Sequence, residues 1–316
     1  MQQKLNQTTP RKLKASRKLR ASGKQKKTRM PLVSEVSAGR TVLSIMGSSV
    51  LRPAALRSIA SVFKNFFFLQ YRAVLRPGRY PVSRADHPLD KKIPFRPDKV
   101  ELYLDFLNFF IRTCGYLIRV YGKPVLPQVK NLIASLGSVY KTAADVYTKN
   151  FSTTNRPRYL SRFRFIVIHA FDPHLMCIPS LHVMVLILIY TRFRKIMSGL
   201  GDETAQTEAV RRHALAITEA VLYVKQHSVN CIAAAMYAMT RYDDLFPMEE
   251  AEAFAADLFR DSEGIAENDA EEIRVHILNL YRQFSESCAF SGTKSSAETG
   301  PWEKPLLDFL ETLPKV

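Results

Sequence analysis

The apolar residues of this chain recur every three or four positions and are broken by charges before any run reaches the ~20 residues that a bilayer span needs. A period near 3.6 builds helices with one buried face. The pattern therefore points to amphipathic helices packed on one another, an all-α helical bundle, rather than to a polytopic membrane protein. VELYLDFLNFFIRTCGYLIRVYG, from Val100 onward, shows it most clearly, with Asp98 placed to cap its first turn. Three stretches come nearest to a span: residues 42–69 and 100–120, both interrupted by charged side chains, and 178–190, which is too short. Membrane association, peripheral or integral, stays open.

With 316 residues, 47% of them hydrophobic, the chain can bury a substantial core. Its net charge of +17 is unevenly spread, because the first 30 residues hold 11 Lys/Arg and no acidic residue. From Asp243 onward 17 Asp/Glu face 6 Lys/Arg, so the two ends suit different surroundings. Four regions are expected. Residues 1–38 read as a flexible basic tail that cannot offset its ordering entropy by burial. Residues 39–96 hold an apolar and basic segment, SVFKNFFFLQYRAVLR, and a connection with five prolines between 76 and 98. Residues 97–290 read as the helical domain, with a break at Pro124 and Pro127, and 291–316 as a flexible link followed by a short helix around Trp302. The apolar and basic segment fits either a membrane interface or a helix packed on the core. No aromatic ring stands between the lysines of the tail, which disfavours single-stranded nucleic acid as a partner. Anionic membrane surface is the other candidate, placing the protein at a cytoplasmic membrane face or free in the cytoplasm.

Cys114, Cys177, Cys231 and Cys288 are widely spaced with no C-x-x-C pair, so reduced, buried thiols are expected. His169, His174 and His182, with Asp172, are the one grouping that invites a metal. Their spacings do not share a helical face and Pro173 interrupts them, so no metal and no cofactor is expected.

Three motifs carry chemistry. KNFSTTNRP sets Lys149 seven residues before Arg156 and Pro157, PSLH spans Pro179 to His182 with Ser180 inside it, and LYVKQHSVNC places His227 before Cys231. Taken singly, each histidine is more often a hydrogen-bonded core residue than a catalyst, and each cation a solvated charge. Their order and spacing together resemble the type 2 phosphatidic acid phosphatase superfamily, over about residues 97–245, in its sphingomyelin-synthase-like branch. The resemblance implies a helical bundle and a phosphatase or phosphotransferase acting on a phosphate ester, lipid-borne in that family. It implies that Lys149, Arg156 and Ser180 hold the phosphate, that His227 becomes phosphorylated, and that His182 protonates the leaving oxygen.

Two positions depart from the family pattern. Cys231 stands where an Asp would orient His227, and Ala220 and Val221 align with a Ser-Arg pair. Loss of the orienting carboxylate in a comparable triad costs about 10⁴ in rate. The alternative is therefore a non-catalytic relative that binds an anionic headgroup or a partner, with Cys231 marking the loss of turnover. Asn230, one position off, could substitute only through a distorted helix.

Overall fold

The computed structural model describes residues 31–202, 205–260, 264–290 and 301–316. Residues 1–30 of the expected tail and residues 291–300 of the expected link lie outside the described residues. Residues 31–37, assigned to the tail from the sequence, instead carry a tight turn at Val33–Glu35, with Val33 and Val36 buried.

The elements run α1 (Ala38–Gly47), α2 (Arg52–Val62), α3 (Leu69–Val74), β1 (Val82–Arg84), α4 (Val100–Tyr121), α5 (Leu126–Tyr147), β2 (Phe151–Thr153), α6 (Phe163–Phe171), α7 (Leu181–Gly199), α8 (Ala205–Tyr223), α9 (Val229–Tyr242), α10 (Met248–Asp257), α11 (Glu267–Phe290) and α12 (Lys304–Thr312). The all-α expectation holds, with one short parallel pair, β1 on β2, that the sequence pattern did not announce.

Local chemistry sets many of the boundaries. Ser37 caps α1 by accepting the Arg40 N–H, and Ser228 caps α9 by accepting that of Asn230. Prolines sit in the first turns of α2, α5 and α12, where a missing N–H costs nothing. Pro127 thus opens α5 rather than breaking the chain, and the break belongs to Gly122, whose φ of +65 ends α4. Asp98 does not cap α4, because its carboxylate takes both nitrogens of the Arg96 fork at 3.0 Å.

The run after Pro179 is α7, the central helix. Its side chains from Val183 to Thr191 are buried on every side, and α4, α5, α8 and α9 pack around it. α9 is rich in Ala and Met and buried as completely, and α11 packs on it and carries α12. The apolar and basic segment belongs to the same body. α2 lies against α5, where the Ser58 and Ser61 hydroxyls donate to the carbonyls of Ile133 and Gly137, each at 2.6 Å. It runs through a π-helical turn at Phe63–Phe68 into α3. All four cysteines are free and buried. Among the described residues no helix is long and apolar enough to cross a membrane.

Candidate active site

Ser180 is the N-cap of α7, and its backbone N–H donates to the carbonyl of Cys231 at 3.3 Å. Its hydroxyl is fully buried without a hydrogen-bond partner. A buried orphan hydroxyl costs about 1–3 kcal/mol, and here it lies at the start of a 19-residue helix, where free N–H groups and the helix dipole favour an anion.

His182 follows in the first turn of α7. Its ring packs on Tyr103 and Phe106 of α4, with centroids 4.7 and 4.4 Å away, and on His227 at 5.6 Å. Burial pushes His182 down to about 4, outweighing the pull of Asp172, so the imidazole is neutral at pH 7.

His227 lies in the turn between α8 and α9. Lys225 adopts φ +56 there, and its ammonium donates to the carbonyls of Asp90 and Ile93. The Asp90 carboxylate accepts the N–H groups of His87 at 2.7 Å and Val229 at 3.0 Å. These contacts pin the turn and aim the imidazole. Nδ1 of His227 stands 3.2 Å from the carbonyl oxygen of Cys177. A carbonyl only accepts, so Nδ1 carries the proton and Nε2 the lone pair. Burial, with His182 and His174 nearby, holds His227 well below its ordinary value, which keeps that lone pair available.

The acceptor is itself fixed by β2. Ser152 accepts the N–H of Cys177 through its carbonyl at 3.2 Å and that of Ile178 through its hydroxyl at 2.8 Å. The role expected of residue 231 thus falls to a backbone oxygen. Cys231 is fully buried in α9, its thiol pushed up by burial, and it contributes through its own carbonyl to Ser180. Asn230 does not rescue the missing carboxylate, because its amide donates to Ala85 and accepts from His276.

Arg156 enters from the loop after β2. One nitrogen donates to Gln226 Oε1 at 3.2 Å and another to the Asp172 carbonyl at 2.7 Å, with the Asp172 carboxylate 3.5 Å away. Lys149 diverges from it. At the end of α5 its half-exposed ammonium pairs with Glu303, just ahead of α12. The structure therefore sets His182 against His227, joins Arg156 to the turn of His227 through Gln226, keeps Ser180 at the start of the helix that carries His182, and commits Lys149 to Glu303.

One member was missed as such from the sequence. His174 occupies φ +63, uncommon for a residue other than glycine, and its ring lies 6.5 Å from that of His227. Its Nε2 is 2.8 Å from the Thr154 hydroxyl and its Nδ1 3.9 Å from the Asp172 carboxylate. Burial lowers its affinity for a proton, but Cys177 and Asp172 outweigh it and lift His174 to about 9. Asp172 is buried too, yet His174 and Arg156 hold its carboxyl well below the usual range. The only sequence signal was the grouping of His174 with Asp172, which invited a metal. Among the described residues no group of three ligating side chains could hold one.

The cluster thus holds two cations, Arg156 and His174, both engaged by the Asp172 carboxylate, two neutral imidazoles with centroids 5.6 Å apart, one of fixed tautomer, and the orphan Ser180 hydroxyl at the start of α7. No family model, curated protein or solved structure matches the chain.

Proposed function

We propose that the chain is a phosphatase or phosphotransferase acting on a phosphate ester, with His227 as nucleophile and His182 as acid. The observation that carries this is the pairing of the two imidazoles at 5.6 Å with His227 Nδ1 tied to the Cys177 carbonyl. Phosphate oxygens are held by Arg156, by the Ser180 hydroxyl and by the first N–H groups of α7. His227 Nε2 attacks phosphorus, the ester P–O bond breaks, and His182 gives its proton to the departing oxygen. A water or alcohol then attacks the phosphohistidine, its proton passes to His182, and phosphate or a new ester leaves. His182 is neutral in the free protein, so a substrate entering as its phosphate monoanion brings the proton that His182 takes up and passes to the departing oxygen.

Phosphate release from p-nitrophenyl phosphate and from short-chain lipid phosphates tests this reading. Both His182→Ala and His227→Ala are expected to lose 10³-fold or more, roughly the scale of removing a member of a catalytic pair. Equal activity in all three proteins would sink the reading. The commitment of Lys149 to Glu303 favours a second reading, in which the pocket binds phosphate without turnover. In that case inorganic phosphate protects the wild type against thermal unfolding while no release is measured.

A further inference from the structure

α6 is apolar on both faces. Phe165 and Ile168 are buried against α4 and α8, as the inner face of a surface helix requires. The outer face should then be polar, yet Phe163 is 77% exposed, Phe171 63%, and Ile166 lies open between them. The chain through α3 shows the same anomaly beside it, with Phe68 just before the helix at 66%, Leu75 just after it at 79%, and Tyr71 within it open on the same helical stripe. The two helices meet, since the Tyr71 hydroxyl donates to the Phe171 carbonyl at 3.2 Å and the Gln70 side chain accepts the Leu175 N–H at 3.0 Å.

Charge defines what such a surface can meet. Residues 36–85 hold eight Lys/Arg and residues 150–171 hold four, with no Asp or Glu in either stretch. Glu101 reaches α6 but is paired with Arg164 at 3.0 Å, and Asp172 is engaged by Arg156 and His174. Large exposed apolar side chains in stretches whose only charged residues are Lys and Arg have the composition of an element that lies in a headgroup layer. A second copy meeting this face across a two-fold axis would bring like charge to like charge.

We propose that the outer face of α3 and α6 docks on an anionic lipid bilayer. Phe163, Phe171, Phe68 and Leu75 enter the headgroup and acyl boundary while the flanking arginines meet lipid phosphates. Docking is independent of turnover. It would place the loop of Arg156 and the C-terminal end of α6, which border the candidate active site, at the level where a lipid-borne phosphate lies.

The test is partition of the full chain onto phosphatidylcholine vesicles with and without phosphatidylserine, at low salt and at 0.5 M NaCl. Phe163→Gln/Phe171→Gln, both at exposed positions, is expected to weaken binding to the phosphatidylserine vesicles by about tenfold or more. The loss should persist at high salt, where contributions from charge alone are screened. A Phe163→Trp variant is expected to shift its emission to the blue on vesicle addition, after subtraction of the Trp302 signal. His182→Ala and His227→Ala should bind as the wild type does, so failed docking and failed catalysis are distinguishable. Unchanged partition of the double variant, absence of the blue shift, or self-association through this face without vesicles would each overturn the proposal.

Discussion

At the scale of single residues, the orientation of His227 decides whether Cys231 marks a lost function. The imidazole is held by the Cys177 carbonyl, so a carboxylate at position 231 would have no nitrogen left to accept from. It would also be fully buried, with Asp90 and Asp86 adding repulsion. Cys231→Asp is expected to leave phosphate release unimproved and to cost about 3 kcal/mol or more in urea unfolding, the scale of an unpaired buried charge. Cys231→Ala should keep its rate within about threefold. A tenfold gain in Cys231→Asp would show that the carbonyl does not fill the orienting role. Arg156, Ser180, His182 and His227 could be singled out from the sequence because side-chain motifs are written as particular residue types at particular spacings. The Cys177 carbonyl was not, since every residue has one and only tertiary structure aims it. His174 was hidden for a related reason: its importance comes from the Asp172 and Cys177 groups placed around it by a left-handed backbone turn.

At the scale of elements, helix type and most helix positions were legible from apolar periodicity. α7 was clear from its continuous apolar run. What the period could not give was the packing partner. Gly137 illustrates this, because a Cβ there would lie 3.0 Å from Ser58 Cα and 3.2 Å from its hydroxyl, at the α2–α5 contact. Backbone cannot yield as a flexible side chain would, so Gly137→Ala is expected to destabilise by about 1–3 kcal/mol. Gly39, exposed in α1 with open space around it, supplies the control. Gly39→Ala should be neutral or stabilise slightly, since alanine restricts the unfolded chain. Equal thermal shifts for the two variants would contradict close contact between α2 and α5. β1 and β2 escaped notice because three residues are too short for an alternating pattern to register.

At the scale of the whole molecule, several histidines have been folded into places where a proton is unwelcome. Burial holds His182 and His276 down to about 4, and His227 well below its ordinary value. The unfolded chain takes up these protons near pH 6.5 while the folded chain refuses them, so stability falls as pH drops from about 6.5 toward 4. His174 acts in the opposite sense: its contribution is fully present below pH 6.5 and is lost as pH rises through about 9. Between pH 7 and pH 5, His182 should remove on the order of 1–2 kcal/mol and the more exposed His276 less, because solvent screens it, lowering the urea midpoint. A midpoint unchanged at pH 5 would mean these imidazoles are solvated. The uneven charge along the chain was legible at this scale, but not the shared exposure of Phe68, Phe163 and Phe171 around α3 and α6, which needs the two helices side by side.

The central claim is that His227 carries the phosphoryl group, and chemical trapping of that intermediate tests it most directly. Full-length protein is mixed with a radiolabelled phosphate ester, quenched in alkali, and the label located by peptide mapping. The account predicts an acid-labile, alkali-stable label on His227 that is absent from His227→Ala. Phosphate release with no labelled histidine, or with the label on another residue, would contradict it.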